Sequence, residues 1–473
     1  MNEAAIATFE QLNLVWVPDK PQPMFDTACV MGGSIAGLLA ARVLANYARH
    51  VVVLERERVG LLGSPRIGVP QDRHGHVLLP GGLRQFERWL PGLAAEAVSR
   101  GGYLAGPSQQ VVYYDGVAQA PSGPAAMLLG SRPFLEARIR DVVTSTPNIY
   151  LIHGEAAGLT YGAGGRVNGV RFREGLIPAD LEGLIPADLV VDAMGRGSNL
   201  SSWLDRDGYE RPRLQRVKTG INYATACFER IESADVQEIA CVLELFRPRS
   251  MPHDLTVAHL SVVENDQWLV MLMSYDDHPA ARSLQAFRAA CDQLPPIFGE
   301  ASSGNATRQI ETFHQADSRR RDFLGLSHFP GGLLAVGDAV ASFNPIYGQG
   351  MSSAALHASC LAEYLSEEVD VSGRADRFFA LQQVVTDAAW TVSAGGDQAR
   401  LDLVNEIEVP DEVAQRRWAL GQIVQATLTD EAISETFRSV TGMEAHPAVL
   451  ADPLLIQRAI AVNSAAEPDG TAR

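Results

Sequence analysis

The chain has 473 residues, enough for two or three domains that each bury a substantial core. Hydrophobic residues make up 46% and charged residues 20%, an ordinary globular balance that excludes a fibrous or disordered chain. The formal net charge of −17 excludes the electrostatics of a nucleic-acid binder, because a phosphate backbone would repel such a surface.

Near the N-terminus, residues 27–31 (TACVM) read as a short buried strand, 35–48 as an Ala/Leu-rich helix and 50–55 (HVVVLE) as a second strand. The turn between strand and helix is almost a dinucleotide fingerprint, with Gly32, Ser34 and Gly37 where three glycines belong. The first glycine permits the tight turn, the second lets backbone approach a pyrophosphate, and the third lets the helix pack on the strand. Serine replaces only the second, and it is small enough to allow the approach while adding a hydroxyl. Gly32, Gly33, Ser34, Ile35, Ala36 and Gly37 would then form the cradle, with the anion on the helix N-terminus. Glu55, followed by Arg56, ends the second strand near the offset expected of a ribose-binding acid. A carboxylate there repels a 2′-phosphate, so NADP is a poor tenant. A Gly-rich loop can also do no more than open a helix, and this segment alone does not separate NAD from FAD.

Further along, 134–145 reads as a helix and 148–156 as another strand of the same sheet. Residues 156–192 alternate in short strands with Gly turns, an antiparallel meander. The meander holds a tandem repeat, EGLIPADL, at 174–181 and 182–189. Eight is even, so the duplication flips no face of a strand, and a dull origin such as replication slippage is expected rather than a function. From 213 to 275 strands follow one another without helices, which predicts a largely antiparallel sheet and a second domain. Residues 280–297 read as helical, "GGLLAVGDAV" as a Rossmann-like strand, 350–366 as a helix, and 372 onward as mostly helical without an assignable motif.

The string GLLAVGDAVASFNPIYGQGMSSAALHA carries Asp338, Pro345, Gly348, Gly350 and Met351. A second Gly/Asp loop so far from the first suits FAD, whose ribityl chain and ring extend beyond one cradle. On these motifs the chain resembles the FAD-dependent monooxygenases of the para-hydroxybenzoate hydroxylase type. The resemblance implies that Asp338 binds a ribityl hydroxyl and that the helix start at Gly350-Met351 faces the flavin N1/C2=O edge. VVDAMGRGSNL, with Asp192-Ala193-Met194-Gly195-Arg196, is similar to the family's Asp-Gly motif, although Ala-Met follows the aspartate. SRPFLEARIR resembles the segment whose arginine, Arg132, contacts the flavin region. SPRIGVPQDRHGHVLL is closest to bacterial polyether-pathway, squalene-epoxidase-like flavin epoxidases, in which Arg66 would reach the cofactor and Gly68-Val69-Pro70 would run beside the ring. His74 and His76, two apart in a loop, more often satisfy local hydrogen bonds than catalyse.

The expected fold class is α/β: a Rossmann-like, GR2-type FAD-binding domain from residues 25–205 and 310–370, an antiparallel-sheet substrate domain at 206–309, and a helical C-terminal extension at 371–473. Family chemistry implies FAD, NADPH or NADH as electron donor, O2 as co-substrate, and a flavin C4a-hydroperoxide that epoxidises alkenes of a large apolar polyketide or terpenoid in antibiotic-type secondary metabolism. The flavin carries the chemistry, and no protein catalytic residue is assigned. Ile221, Tyr223, Leu245, Met271 and Met273 could line an apolar pocket or belong to plain core. No acid–base pair is evident among them, which favours epoxidation over phenol hydroxylation. An aromatic hydroxylase, a geranylgeranyl-reductase-like flavin reductase, distinguished by forming no hydroperoxide, and a non-catalytic flavin redox sensor remain alternatives. A flavin halogenase is disfavoured because none of Trp16, Trp89, Trp203, Trp268, Trp390 and Trp418 lies in a WxWxIP segment.

Cys29, Cys227, Cys241, Cys291 and Cys360 are scattered without a CxxC pair, which predicts a reducing, cytoplasmic setting with neither a zinc site nor disulfides. MNEAAIATFE lacks a signal-peptide pattern, and PLLIQRAIAV is too short and carries Arg458, so no membrane anchor is expected. The partners expected are an apolar small molecule and, where electrons do not come directly from the nicotinamide, a flavin reductase.

Overall fold

Val51, Val53 and Leu54, and Val190 and Val191, are buried in runs rather than in alternation, the pattern of strands covered on both faces. In the computed structural model they lie in a five-stranded parallel sheet ordered Leu333–Ala335, Leu189–Asp192, Phe25–Met31, Ala48–Glu55, Ile149–His153. The structure describes residues 2–57, 66, 70–121, 125–174, 182–231, 238–246, 255–275, 281–367 and 370–466. Chain direction across the sheet reverses beside Phe25–Met31, which makes the C-terminal strand ends at Met31 and Asp192 the place where an open α/β sheet holds its ligand. Helix Ile35–Leu44 returns the chain to the next strand and packs on helix Gly350–Ser366. The second helix is rich in small buried residues (Ala354, Ala355, Ala358, Ala362), so the two axes can approach closely.

A second, eight-stranded sheet runs Ala341–Ser342, Glu311–Asp322, Arg213–Glu229, Gln267–Tyr275, Leu255–Val263, Cys241–Leu245, Gln110–Tyr114, Val117–Ala118. It is antiparallel except where Cys241–Leu245 meets Gln110–Tyr114. It therefore takes in strands from outside 206–309, because Arg213–Glu229 is long enough to pair with both Gln267–Tyr275 and Glu311–Asp322. Two-residue alternation splits its side chains cleanly. Ala224, Ala226 and Phe228 pack with Phe287 and Phe298 of helices Leu284–Cys291 and Pro296–Ser303. Ile221, Tyr223 and Cys227 face the other way. The single helical stretch read at 280–297 is thus two helices, interrupted because Pro295 and Pro296 cannot continue one and Pro296 instead starts the next.

The meander is present as Glu155–Tyr161, Val167–Arg173 and Glu182–Pro186. In the second copy of the repeat Ile185 is buried and Leu184 exposed, while residues 175–181 of the first copy lie outside the described residues. The C-terminal part is helical: Asp376–Val404, Asp411–Ala426, Glu431–Thr441 and Pro453–Ala466. An N-terminal helix, Asn2–Asn13, which sequence patterning did not single out, buries Phe9 and Leu12 and offers the Asn13 carbonyl to Arg88. Among the described residues no helix is long and apolar enough to cross a membrane.

Phe228 is fully buried between the second sheet and its two helices. Phe228→Ala should cost about 3–5 kcal/mol of stability, read as a lowered thermal midpoint. Unchanged melting would contradict this packing.

Candidate active site

Three loops leave the parallel sheet side by side. The ladder stays closed up to their first residues: Gly32 N–H donates to Leu54 O (2.8 Å), Ala193 N–H to Met31 O (2.9 Å) and Val336 N–H to Asp192 O (2.8 Å). Beyond that point the loops touch through glycine. Gly32 sits at φ +108°, and a side chain there would collide with the Ala193 carbonyl. A Cβ on Gly37 would overlap the Gly32 carbonyl, and Gly337, at φ +61°, abuts the Ala36 methyl. Gly32 and Gly37 therefore allow the tight turn and the close packing of helix on strand, and Gly337 joins them.

Both helices that open at this edge begin without a side-chain cap, Ile35–Leu44 after Ser34 and Gly350–Ser366 after Gln349. Helix Arg132–Thr144, by contrast, is capped by the Ser131 hydroxyl, which accepts from Phe134 N–H. Two uncapped N-termini at one sheet edge leave first-turn N–H groups directed at whatever occupies it, the disposition that binds an anion.

The Ser34 hydroxyl is used differently. It donates to Glu136 Oε2 (2.7 Å) and accepts from Arg132 Nη2 (3.2 Å). Glu136 also pairs with Arg66 (2.5 Å) and Arg140 (2.6 Å). Arg66 reaches on to Glu55 (2.8 Å) and Glu57 (3.0 Å), and Arg132 to Asp72 (2.9 Å). Glu55 Oε2 accepts the Gly33 N–H (2.9 Å), which locks the strand end to the cradle. Burial works against the Glu136 charge, but Arg132 and Arg66 prevail and hold its carboxyl below the usual range. Burial also opposes the Arg66 charge, and Glu136 and Glu55 outweigh it and raise that pKa. Sequence reading named Glu55, Arg66 and Arg132 but missed Glu136, Asp72 and Glu57. The i,i+4 spacing of Arg132, Glu136 and Arg140 on one helix was the available signal. Arg56 is exposed and joins none of these pairs; Gly68 and Val69 lie outside the described residues.

On the second loop the Gly337 N–H donates to His357 Nδ1 (3.0 Å), whose Nε2 faces Thr386 Oγ1 (3.4 Å). Burial lowers the His357 pKa to about 3, so the ring stays neutral and Nδ1 is free to accept. Burial raises the Asp338 carboxyl, while Arg132 and Arg196 pull it down. Pro345 begins a short 3-10 turn, Gly348 closes it at φ +67°, and Gly350 and Met351 begin the helix. On the third loop buried Asp192, pushed up to about 6, accepts from the Ser198 hydroxyl and the Met194 N–H. Arg196 ties that loop to Asp317 and Ser342 of the larger sheet. His76 bonds the His74 carbonyl (2.9 Å), a local contact, whereas His74 reaches across to Thr225 Oγ1 of the larger sheet (2.8 Å).

The face of the larger sheet turned away from its two helices is buried and collects Ile221, Tyr223, Leu245, Met271 and Met273 in one cluster with Ile346, from the turn between Pro345 and Gly348. One end of it is polar. Asp397, on helix Asp376–Val404, is fully buried and accepts from Asn344 Nδ2 (2.8 Å), and Arg400 lies 3.3 Å from the Tyr275 ring centre. Sequence reading found no acid near the pocket because this one arrives from the C-terminal region.

The uncapped helix starts, the glycine contacts and the partly exposed Asp338 would fit a dinucleotide at the strand ends. The fold is that of the FAD-dependent monooxygenases. PqsL of Pseudomonas aeruginosa, a probable FAD-dependent monooxygenase, superposes with a TM-score of 0.58 at 18% identity over 80% of this chain and 99% of its own. The flavin-dependent brominase Bmp2 superposes at 0.57 and 14% identity over 93% of this chain and 99% of its own. The chain belongs to the family of protein Rv3254 of Mycobacterium tuberculosis, to which it is 31% identical over 443 residues, 87% of this chain and 88% of the relative. No protein-family model matches the sequence.

Gly32→Val and Asp338→Ala should each lower the flavin-to-protein absorbance ratio of the purified protein, the first through steric collision and the second through a lost acceptor. Full flavin loading of both variants would overturn this site.

Proposed function

We propose that the protein is an FAD-dependent monooxygenase that inserts one atom of O2 into an unsaturated carbon of a sizeable, mostly apolar substrate. Electrons would come from NADH or NADPH, directly or through a partner flavin reductase. Bound and reduced, the flavin supplies the oxygen activation. The chain's own residues do the rest. The Gly32–Gly37 turn and the Gly350 helix start bind the cofactor's charged groups. The segment from Asp72 to His76, with Gly75 against Leu269, His259 and Met271, closes over the sheet and keeps water from the reacting carbon.

The observation that carries this reading is the apolar sheet face meeting Ile346, two residues from Gly348 in the flavin-type loop. Two outcomes fit such a face. Hydroxylation of a phenol or enol needs a base, and Asp397 offers one. Epoxidation of a polyketide or terpenoid alkene needs none, and the Met271, Met273 and Leu245 lining favours it. Likeness to a brominase extends to the fold alone, since no WxWxIP segment is present.

To test the reading, photoreduced holoenzyme is mixed with isotopically labelled dioxygen and a panel of apolar alkenes and alkylphenols. One labelled oxygen in the product is expected. Release of peroxide alone with every compound would replace the oxygenase by a reductase or a redox sensor.

A further inference from the structure

This step rests on the oxygenase reading and concerns a cavity in the wall of the same site. We infer that the cavity beside Met351 is a binding site for a small apolar gas, and that the gas it takes is dioxygen on its way to the cofactor site.

The cavity measures about 10 Å³, room for one guest the size of a water molecule. Leu78 and Leu128, directly opposed on two short antiparallel strands, line it together with Ala97, Leu135, Ile139 and Met351. All of these side chains are buried. Arg138 completes the lining without adding polar surface, because its head pairs with Asp141 (3.0 Å) and Glu96 (3.5 Å) and lies over the Phe134 ring. Arg138 Nε lacks a partner, but a buried water needs roughly two to four polar partners, and a single donor does not hold one. Carbon-lined voids stay dry and take apolar guests instead.

The walls of the cavity are built from the elements of the cofactor site. Met351 follows Gly350 at the uncapped start of its helix, and Leu135 and Ile139 share a helix with Arg132 and Glu136. Leu78 stands two residues beyond His76. None of the lining residues belongs to the apolar cluster of the larger sheet, so the cavity is separate from the face that would take the substrate. Dioxygen is small, uncharged and apolar, and it gains by leaving water for a hydrocarbon surround. Removing about one methylene's worth of apolar surface from water raises occupancy roughly fourfold over solution. Water is too polar for such a lining, and the substrate is too large for the space. Met351 is the wall shared with the Gly350 helix start, and its unbranched, three-torsion side chain can swing aside to let a small guest pass. A gas held there reaches the cofactor site without crossing the substrate, so the two reactants do not compete for one entrance.

The test uses holoenzyme and two readouts. Crystals pressurised with krypton, which is close to dioxygen in size, should show an anomalous peak between Ala97, Leu135 and Met351. Ala97→Val fills the space and should lose the peak, as should Leu135→Phe, which fills it from another helix. Ile139→Val enlarges the space and should keep the peak. In stopped flow, photoreduced wild type mixed with dioxygen should reoxidise roughly fourfold faster than either filled variant, with Ile139→Val no slower than wild type. Equal flavin content and equal photoreduction show that the variants fold around an intact cofactor site. A wild type without krypton in the cavity would overturn the assignment, and so would krypton in the wild type with equal reoxidation of all the proteins; either result leaves the oxygenase intact. Krypton bound and reoxidation slowed in the filled variants, with peroxide as the only product from every substrate, would instead sink the oxygenase and keep the gas site.

Discussion

The whole site depends on three backbone segments being allowed to touch. Gly32, Gly37 and Gly337 are the contacts at which a methyl group would meet the Ala193 carbonyl, the Gly32 carbonyl and the Ala36 side chain. Because parallel strands stand only about 4.8 Å apart, their outgoing loops have room for backbone and little else. Glycine at these places lets the loops lie flat across the strand ends, and the two uncapped helix starts then point at a common region. A side chain at Gly32 or Gly337 would separate elements that lie far apart in the chain.

Charge is the second constraint. Arg66, Arg132 and Arg140 share Glu136, with Glu55, Glu57 and Asp72 around them. Removing so many charges from water is costly, and only their mutual pairing and hydrogen bonding make the arrangement tolerable. Its value lies in position. Through Ser34 and Gly33 the network holds the cradle, and through Asp72 it holds the segment that covers the apolar sheet face. The departure of Ser34 from the glycine fingerprint fits here. Its hydroxyl is committed to Glu136 and Arg132 rather than to a helix cap, so it adds an anchor without closing the helix N-terminus.

Local patterns made much of this legible. Gly32 to Gly37, the Gly337-Asp338 pair and the alternating strands of 213–275 each signal through neighbours a few residues away, and sequence reading recovers such signals. The split at Pro295 and Pro296 was equally local and should have been read. Partners that come together only in the fold were not legible. Arg66 and Glu136 are 70 residues apart, and Asn344 and Asp397 are 53. An aspartate in the middle of a long amphipathic helix looks like a solvated residue until the sheet that buries it is known. The recruitment of Gln110–Tyr114 into the larger sheet is non-local in the same way.

One local oddity did point toward the C-terminal helix. Asp376–Val404 carries Gly395 and Gly396 in its interior, each costing about 1 kcal/mol relative to alanine. Gly396 has a reason: a side chain there would run into the Tyr347 hydroxyl. The helix thus gives up propensity to let the Pro345–Tyr347 turn lie against it, and it grips that turn further through Asn344 on Asp397 and Ser393. Higher up, Gln382 donates to the Ala335 carbonyl and Thr386 meets His357, which accepts from Gly337. One helix therefore holds both ends of the second cofactor loop and also carries the acid at the sheet face. The same rigid element therefore supports both the Gly337–Tyr347 loop and the acid at the sheet face.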